Sequence, residues 1–261
     1  MIRIDRDGKI ATVTLDRPER MNALSPDMFR DLGAFWREFQ QDDVLHVAIV
    51  TGEGRAFCSG RDLVRPTAME DEKARSRSLA DRAKADDWPL GPDGVWKPVI
   101  AAINGWCLAG GFALALSCDL RIMSESARIG SMAPKRGLVP GGGQVARLAR
   151  YVPFAKALEL LLRGNHVDAN EAAAMGLVNA VTAPEELLPT ARAWAEEIAG
   201  NAPLAVRAVK RAVYEGALLP SGFREGLALE AELYASVATS DDAAEGTIAF
   251  REKRPAVYQG R

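Results

Sequence analysis

The sequence predicts an α/β fold that gives way to a helical C-terminal region, and three observations carry the prediction. In the first 130 residues, short apolar or alternating segments are separated by turn residues, the pattern of strands. Two of those segments run into a glycine-bearing turn followed by a helical pattern. Beyond Pro184 the apolar spacing is helical. The 261 residues suffice for one large domain, or for a core with a helical appendage. With 48% hydrophobic and 26% charged residues, the composition is that of a folding chain and not a disordered one.

In chain order, residues 2–5 and 9–15 read as strands flanking an Asp7-Gly8 turn, a strong hairpin signal. Ser25-Pro26-Asp27 reads as an N-cap, a proline at the first helical position and an acid in the first turn. Phe29, Leu32, Phe35, Trp36 and Phe39 follow at helical spacing and predict one buried stripe. Residues 44–51 (VLHVAIVT) and 98–103 (PVIAAI) are nearly continuous apolar strands, as expected when both faces are covered. Residues 120–123 make a third. Between the first two lies a polar, charge-rich stretch, 64–97, whose middle (70–84) has a helical composition. A segment of that length suits a lid or a binding wall. Helices are expected over 185–199, 203–215, 223–238 and 241–253. The last of them carry apolar faces that suit a subunit contact.

Charge and composition exclude several function classes. Thirty-three basic residues against 35 acidic leave a net charge of −2, unlike the concentrated basic face that nucleic acid requires. No apolar run reaches the roughly 20 residues of a membrane span, and the N-terminus has no apolar signal core. Cys58, Cys107 and Cys118 cannot all pair and show no metal-ligand spacing, so a reducing, cytoplasmic setting and no metal are expected.

The chemistry concentrates at the two strand–turn–helix junctions, IVTGEGRAFCSGRD (49–62) and VIAAINGWCLAGGFALALSCD (99–119). Glycine lets the backbone turn sharply, and a helix start leaves N–H groups unpaired. One amide from each junction, converging on a single oxygen, would make an oxyanion hole for charge developing on a carbonyl. Glycine-rich turns are also ordinary packing devices, so neither motif alone decides the matter.

Together, FCSGRD and AAINGWCLAGGFALALSCDLRI resemble the enoyl-CoA hydratase/isomerase (crotonase) superfamily. So do LDRPERMNALS, GLVPGGGQVARLAR, LLRGNHVDANEAAAMGLVN and the ending EGTIAFREKRPAVYQGR, in order from residue 8 to 261. The resemblance implies a spiral of ββα turns over 1–195 and a helical oligomerisation region over 196–261, in a homotrimer or a hexamer formed by two trimers. It implies a coenzyme A thioester as substrate, no separate cofactor, and an enolate-stabilising pair of backbone amides at Arg61 and Gly110.

The sequence departs from that family at two positions. Hydratases place one glutamate three residues beyond the oxyanion glycine, which is Ala113 here, and another fourteen residues past the CD pair, which is Ala133. Losing one general acid or base typically costs about 10²–10⁴ in rate, so the two alanines argue against ordinary hydration. The position of an isomerase aspartate falls on Gly141. Other crotonase chemistry (decarboxylation or isomerisation) and non-catalytic acyl-CoA binding therefore stand as alternatives.

Replacement acids could come from Glu70, Asp71, Glu72, Asp81, Asp86 or Asp87 in the polar stretch, although a solvated helix face explains them too. Lys135 and Arg136 could meet an acidic acyl group, or be ordinary surface cations. His46, in a strand, and His166, in a turn, read as structural. Cys58 and Cys107 lack a visible base partner, and Asp62 reads as a helix cap. By resemblance, CoA contacts fall on Arg20, Met21 and Ser59 and on Phe250 and Lys253 of the last helix. A lysine found in some hydratases is Val64 here, with Arg65 adjacent. The acyl pocket is expected to include Trp106, Ala113, Met132, Ala133 and Leu138, and the two alanines would make it roomier and more apolar.

Overall fold

Strands β1 (Ile2–Asp7) and β2 (Ile10–Leu15) form the expected antiparallel hairpin. Asp7 pairs with Ile10, so the turn is Gly8-Lys9, one residue later than the sequence suggests, and Gly8 takes the positive φ (+56°) that the turn needs. A computed structural model describes residues 1–62, 90–136, 138–216, 240–252 and 254–261. Most of the polar 64–97 stretch and the helix expected over 223–238 lie outside them.

Helix α1 (Pro26–Gln41) starts as its sequence dictates. The Ser25 side chain accepts a hydrogen bond from the Met28 N–H at 3.2 Å, and Pro26 stands where no intrahelical N–H is required. Its buried face is Met28, Leu32, Phe35, Trp36 and Phe39, whereas Phe29 is only partly buried. Each large apolar side chain removed from water contributes roughly 1.5–3 kcal/mol, and Phe35 adds ring contacts to Trp36 (4.9 Å) and Phe39 (5.6 Å).

From there the chain alternates between two sheets. Strands β3 (Val47–Gly52), β5 (Val99–Ile103) and β7 (Leu120–Ser124) join the hairpin and β10 (Ala180–Thr182) in a six-stranded sheet of order β1-β2-β3-β5-β7-β10. After each of β3, β5 and β7 the chain adds a short strand to a second sheet. These are β4 (Ala56–Cys58), β6 (Trp106–Leu108) and β8 (Arg128–Gly130), with β9 (His166–Asp168) closing the order β4-β6-β8-β9. Helix α2 (Gly110–Ser117) follows β6 directly, which makes this turn a ββα unit. All pairings are parallel except β1·β2 and β8·β9.

The continuous apolar strands follow from burial on both faces. One face of the large sheet meets α1 and α2. The other packs Val47, Ile49, Ile100, Ala102 and Ile122 against Leu187, Ala191, Ala195 and Ala199 of α6 (Leu187–Gly200). Helices α3 (Gln144–Tyr151), α4 (Phe154–Arg163) and α5 (Ala169–Ala174) lie between β8 and β10 in the chain. The α5 start is a capping box, with Asp168 accepting from the Glu171 N–H (2.9 Å) and Glu171 from the Asp168 N–H (3.1 Å). Helix α7 (Pro203–Arg211), which runs on into a π-helical turn (Ala212–Gly216), and, beyond residue 239, α8 (Asp241–Glu252) complete the described α-helices. Helix α6 runs unbroken through residue 195. Among the described residues no helix is long and apolar enough to cross a membrane, and no group of three or more His, Cys, Asp or Glu could hold a metal ion.

Candidate active site

Glycine fixes how closely the two junctions approach. A Cβ on Gly111 would lie 2.2 Å from the Cys58 carbonyl oxygen, and one on Gly105 would lie 2.1 Å from the Arg55 oxygen. Only hydrogen fits at either place, so the β4 and β6 turns press backbone on backbone. Gly60 has φ +102°, and a Cβ there would stand 2.8 Å from Ala109 Cβ and 3.1 Å from Gly110 N. Ala109 itself holds φ +49°, a conformation that costs a non-glycine residue about 1–3 kcal/mol. Its N–H donates to the Gly130 oxygen (3.1 Å), and its own oxygen accepts from the Ala113 N–H (2.9 Å).

The result is that Arg61 and Gly110 are neighbours. A Cβ built on Gly110 would lie 3.5 Å from Arg61 N, 3.4 Å from Gly60 Cα and 2.9 Å from Leu24 Cδ1. Residues 21–24 run beside 59–62 as a short parallel ladder. The Ser59 N–H donates to the Met21 oxygen (3.0 Å), Leu24 N–H to the Gly60 oxygen (2.8 Å) and Asp62 N–H to the Leu24 oxygen (3.1 Å). Gly60 O and Asp62 N thus face Leu24, so the N–H and C=O of Arg61 face the opposite edge of the strand. Gly110 is the first residue of α2, where an N–H has no acceptor within the helix and the dipole is positive.

Asn22 pins this arrangement from beneath. It is fully buried and sits at φ +55°, donating to the oxygens of Glu53 (2.9 Å) and Ala56 (2.7 Å) and accepting from the Arg17 N–H (2.8 Å). Asn104 links the second junction to the first, donating to the Gly54 oxygen (2.8 Å) and accepting from the Gly52 N–H (3.2 Å). Arg17, Asn22 and Leu24 escape the sequence reading. Their only signal is that they flank Arg20 and Met21 in RPERMNAL.

Of the expected CoA contacts, Arg20, Met21 and Ser59 come together, the Ser59 hydroxyl lying 3.5 Å from the Arg20 oxygen. Phe250 is on α8, its side chain outside the described residues, where Lys253, Val64 and Arg65 also lie. So do Glu70, Asp71, Glu72, Asp81, Asp86 and Asp87. Met132 and Ala133 are half-buried after β8, and the Leu138 N–H closes back on the Ala133 oxygen at 3.0 Å. Leu138 is 53% exposed, whereas Ala113 is buried in the core. Trp106 is half-buried with its ring edge-on to His166 at 5.2 Å. Among the described residues, a Cβ on Gly141 would meet nothing within 4 Å. Ser131 Oγ and Gln144 Oε1, at the two ends of this segment, are buried polar atoms without a hydrogen-bond partner among the described residues.

Several residues weighed for other roles have structural ones. The Asp62 carboxylate accepts from Arg17 Nη1 at 2.7 Å. Lys135 donates to Asn165 Oδ1 (2.6 Å). Cys58 and Cys107 face each other across β4 and β6, fully buried. Burial pushes the Cys58 and Cys118 thiols up to about 12 and Cys107 well above its ordinary value, the opposite of what a nucleophile needs. Asp119, of the CD pair, accepts from the Val99 N–H (2.8 Å) and Lys210 Nζ (2.7 Å), which ties α7 to the start of β5. His166 lies on the edge strand β9 and not in a turn, and His46 precedes β3.

Comparison with known proteins shows the family and the fold. The family described as Enoyl-CoA hydratase/isomerase matches residues 5–261. The Bacillus subtilis protein YngF is 42% identical over 98% of this chain and 96% of its own. The (E)-benzylidenesuccinyl-CoA hydratase of Thauera aromatica is 36% identical, covering 99% of each chain. The crystal structure of an enoyl-CoA hydratase from Bacillus anthracis superposes with a TM-score of 0.91 at 34% identity, over 100% of this chain and 99% of that one.

Proposed function

The chain belongs to the enoyl-CoA hydratase/isomerase family and shares its crotonase fold, and from that premise we propose that it binds an acyl-CoA thioester and stabilises its enolate between the N–H groups of Arg61 and Gly110. The observation that carries the reading is the meeting of the two glycine junctions, which leaves Arg61 N 3.5 Å from where a Gly110 Cβ would stand. A thioester oxygen lying between the two N–H groups would accept from both amides. When the α-carbon loses a proton or a carboxylate, negative charge moves onto that oxygen. The fixed N–H pair and the positive end of α2 meet it without reorganising. Arg20, Met21 and Ser59 flank the same strip, on the side where CoA would lie, and Phe250 and Lys253 would reach it from a neighbouring subunit. The 196–261 region would then hold a trimer or a pair of trimers together.

The acyl end differs from a two-glutamate hydratase. Ala113 and Ala133 supply no carboxylate, and the half-buried Met132 and a Gly141 whose Cβ position no described residue approaches within 4 Å suit a bulky acyl group. Enolate chemistry with fewer side-chain acids, such as decarboxylation of a malonyl-type thioester, fits better than syn-addition of water. Both alanines also favour a second reading, an acyl-CoA binder without turnover. Incubating the protein with crotonyl-CoA and with a malonyl-type thioester, beside Gly110→Ala, and resolving products by mass separates these readings. Loss of carbon dioxide that disappears in the variant is expected. A water adduct on crotonyl-CoA would mean that another group replaces both glutamates. Binding without any product would leave the binder, and no binding of either thioester would overturn the proposal.

A further inference from the structure

We infer that the ion pair between Arg17 and Asp62 is a positioning device, which sets the angle at which the Arg61 N–H faces Gly110. The inference rests on the amide pair proposed above. Arg61 stands between two ladder bonds, Leu24 N–H to the Gly60 oxygen and Asp62 N–H to the Leu24 oxygen. Any slip of residues 21–24 along 59–62 would turn the Arg61 amide out of line. Arg17 braces both strands of that ladder from one guanidinium. Its Nη1 donates to the Ala23 oxygen (3.1 Å), just before Leu24, and to Asp62 Oδ2 (2.7 Å), just after Arg61. Its own backbone is held as well, since its N–H donates to Asn22 Oδ1 (2.8 Å) and its oxygen accepts from the Asn22 N–H (2.9 Å).

The pair has the surroundings that make an ion pair rigid. The Arg17 and Asp62 side chains are 23% and 14% exposed, so solvent screens them less than a surface pair. The outward neighbour is Glu19, whose carboxylate lies 3.7 Å from Arg17 Nε and adds a second, exposed anion to the guanidinium. A neutral side chain at either position would leave the backbone ladder bonded but free to rock. Rocking is costly at an amide whose orientation is its contribution.

The test uses acetoacetyl-CoA, whose enolate absorbs in the near ultraviolet where the keto form does not. Bound thioester is counted by equilibrium dialysis and enolate by absorbance, so enolate per bound ligand is read separately from affinity and from the melting temperature. Arg17→Met and Asp62→Asn are each expected to lower that ratio about tenfold, and the double variant no further, because the two act as one unit. Arg17→Lys, which keeps the charge beside Asp62, is expected to recover most of it. The inference is overturned if Arg17→Met keeps the native ratio, if its loss is matched by a fall in melting temperature that Arg17→Lys does not repair, or if the single effects simply add. If the unaltered protein binds the thioester yet shows no enolate, the amide-pair reading fails first and this inference with it.

Discussion

Gly110→Ala should separate folding from the proposed chemistry, and its magnitude follows from three distances. The new methyl would stand 2.9 Å from Leu24 Cδ1, 3.4 Å from Gly60 Cα and 3.5 Å from Arg61 N. Only the first contact is tight, and it involves the free end of a side chain that can move a few tenths of an ångström. Overpacking of that kind costs about 1 kcal/mol. Alanine at the first helical position recovers at most part of the roughly 0.5–1 kcal/mol it returns in a helix interior, so the variant should melt within about 4 °C of the native protein. Yet the methyl would stand 3.5 Å from Arg61 N, beside the place where a thioester oxygen would have to enter. Alanine keeps its own N–H, so the effect is steric; deleting one donor of such a pair outright costs about 10²–10³, or roughly 2.7–4 kcal/mol, and the enolate signal with acetoacetyl-CoA should fall by up to that amount as the methyl crowds the oxygen. Gly111→Ala is the control. Its methyl would meet the Cys58 oxygen at 2.2 Å and Cys58 Cβ at 2.6 Å, atoms of a strand that cannot yield, and the protein should fail to fold. Thermal melts and the enolate absorbance are the two readouts. A Gly110→Ala protein with native melting and native enolate signal would refute the amide pair, and one that unfolds like Gly111→Ala would refute the packing argument.

Three further outcomes are expected. Asn22→Ala takes a partner from the Glu53 oxygen and the Arg17 N–H, leaves the Ala56 oxygen with Asn104 Nδ2 at 3.3 Å, and puts alanine at φ +55°, so it should cost about 2–4 kcal/mol in urea unfolding; a change under 1 kcal/mol would contradict the role given to Asn22. Lys97 is buried, with Nζ donating to the oxygens of Phe39 (2.6 Å) and Asp42 at the end of α1, so Lys97→Met should lose about 1–3 kcal/mol by the same assay while α2 and its amides stay in place. Burial, then the charge of Lys9, lowers the His46 pKa, so the folded chain binds fewer protons there than the unfolded chain. Stability should be fully present above about pH 6.5 and fall as the pH drops below it, and His46→Gln should flatten that slope in melts from pH 5 to 7.5; an unchanged slope would assign the effect elsewhere.

Signals confined to neighbouring residues were legible in the sequence. The Asp7-Gly8 turn, the Ser25-Pro26 cap and the helical stripe on α1 depend on local backbone chemistry, and the structure moves them by a residue at most. The strand expected over 44–51 begins only at Val47, because β3 exists where β2 offers a partner and that register starts at Ile10. Val44 is left 65% exposed and Leu45 turns into the core. No pattern in VLHVAIVT contains that information.

The motifs FCSGRD and CLAGGF named the family and the residues Arg61 and Gly110, since glycine and a helix start write their requirements into the chain. What the tertiary structure alone decided is that those residues meet. Their approach depends on Gly111 lying against Cys58, Gly60 against Ala109, and residues 21–24 laddered onto 59–62. Arg17 and Asn22 hold that contact, and in the sequence they are merely polar residues of a loop. Their importance is a matter of distance across the fold, and it arises only once the turns on either side have packed.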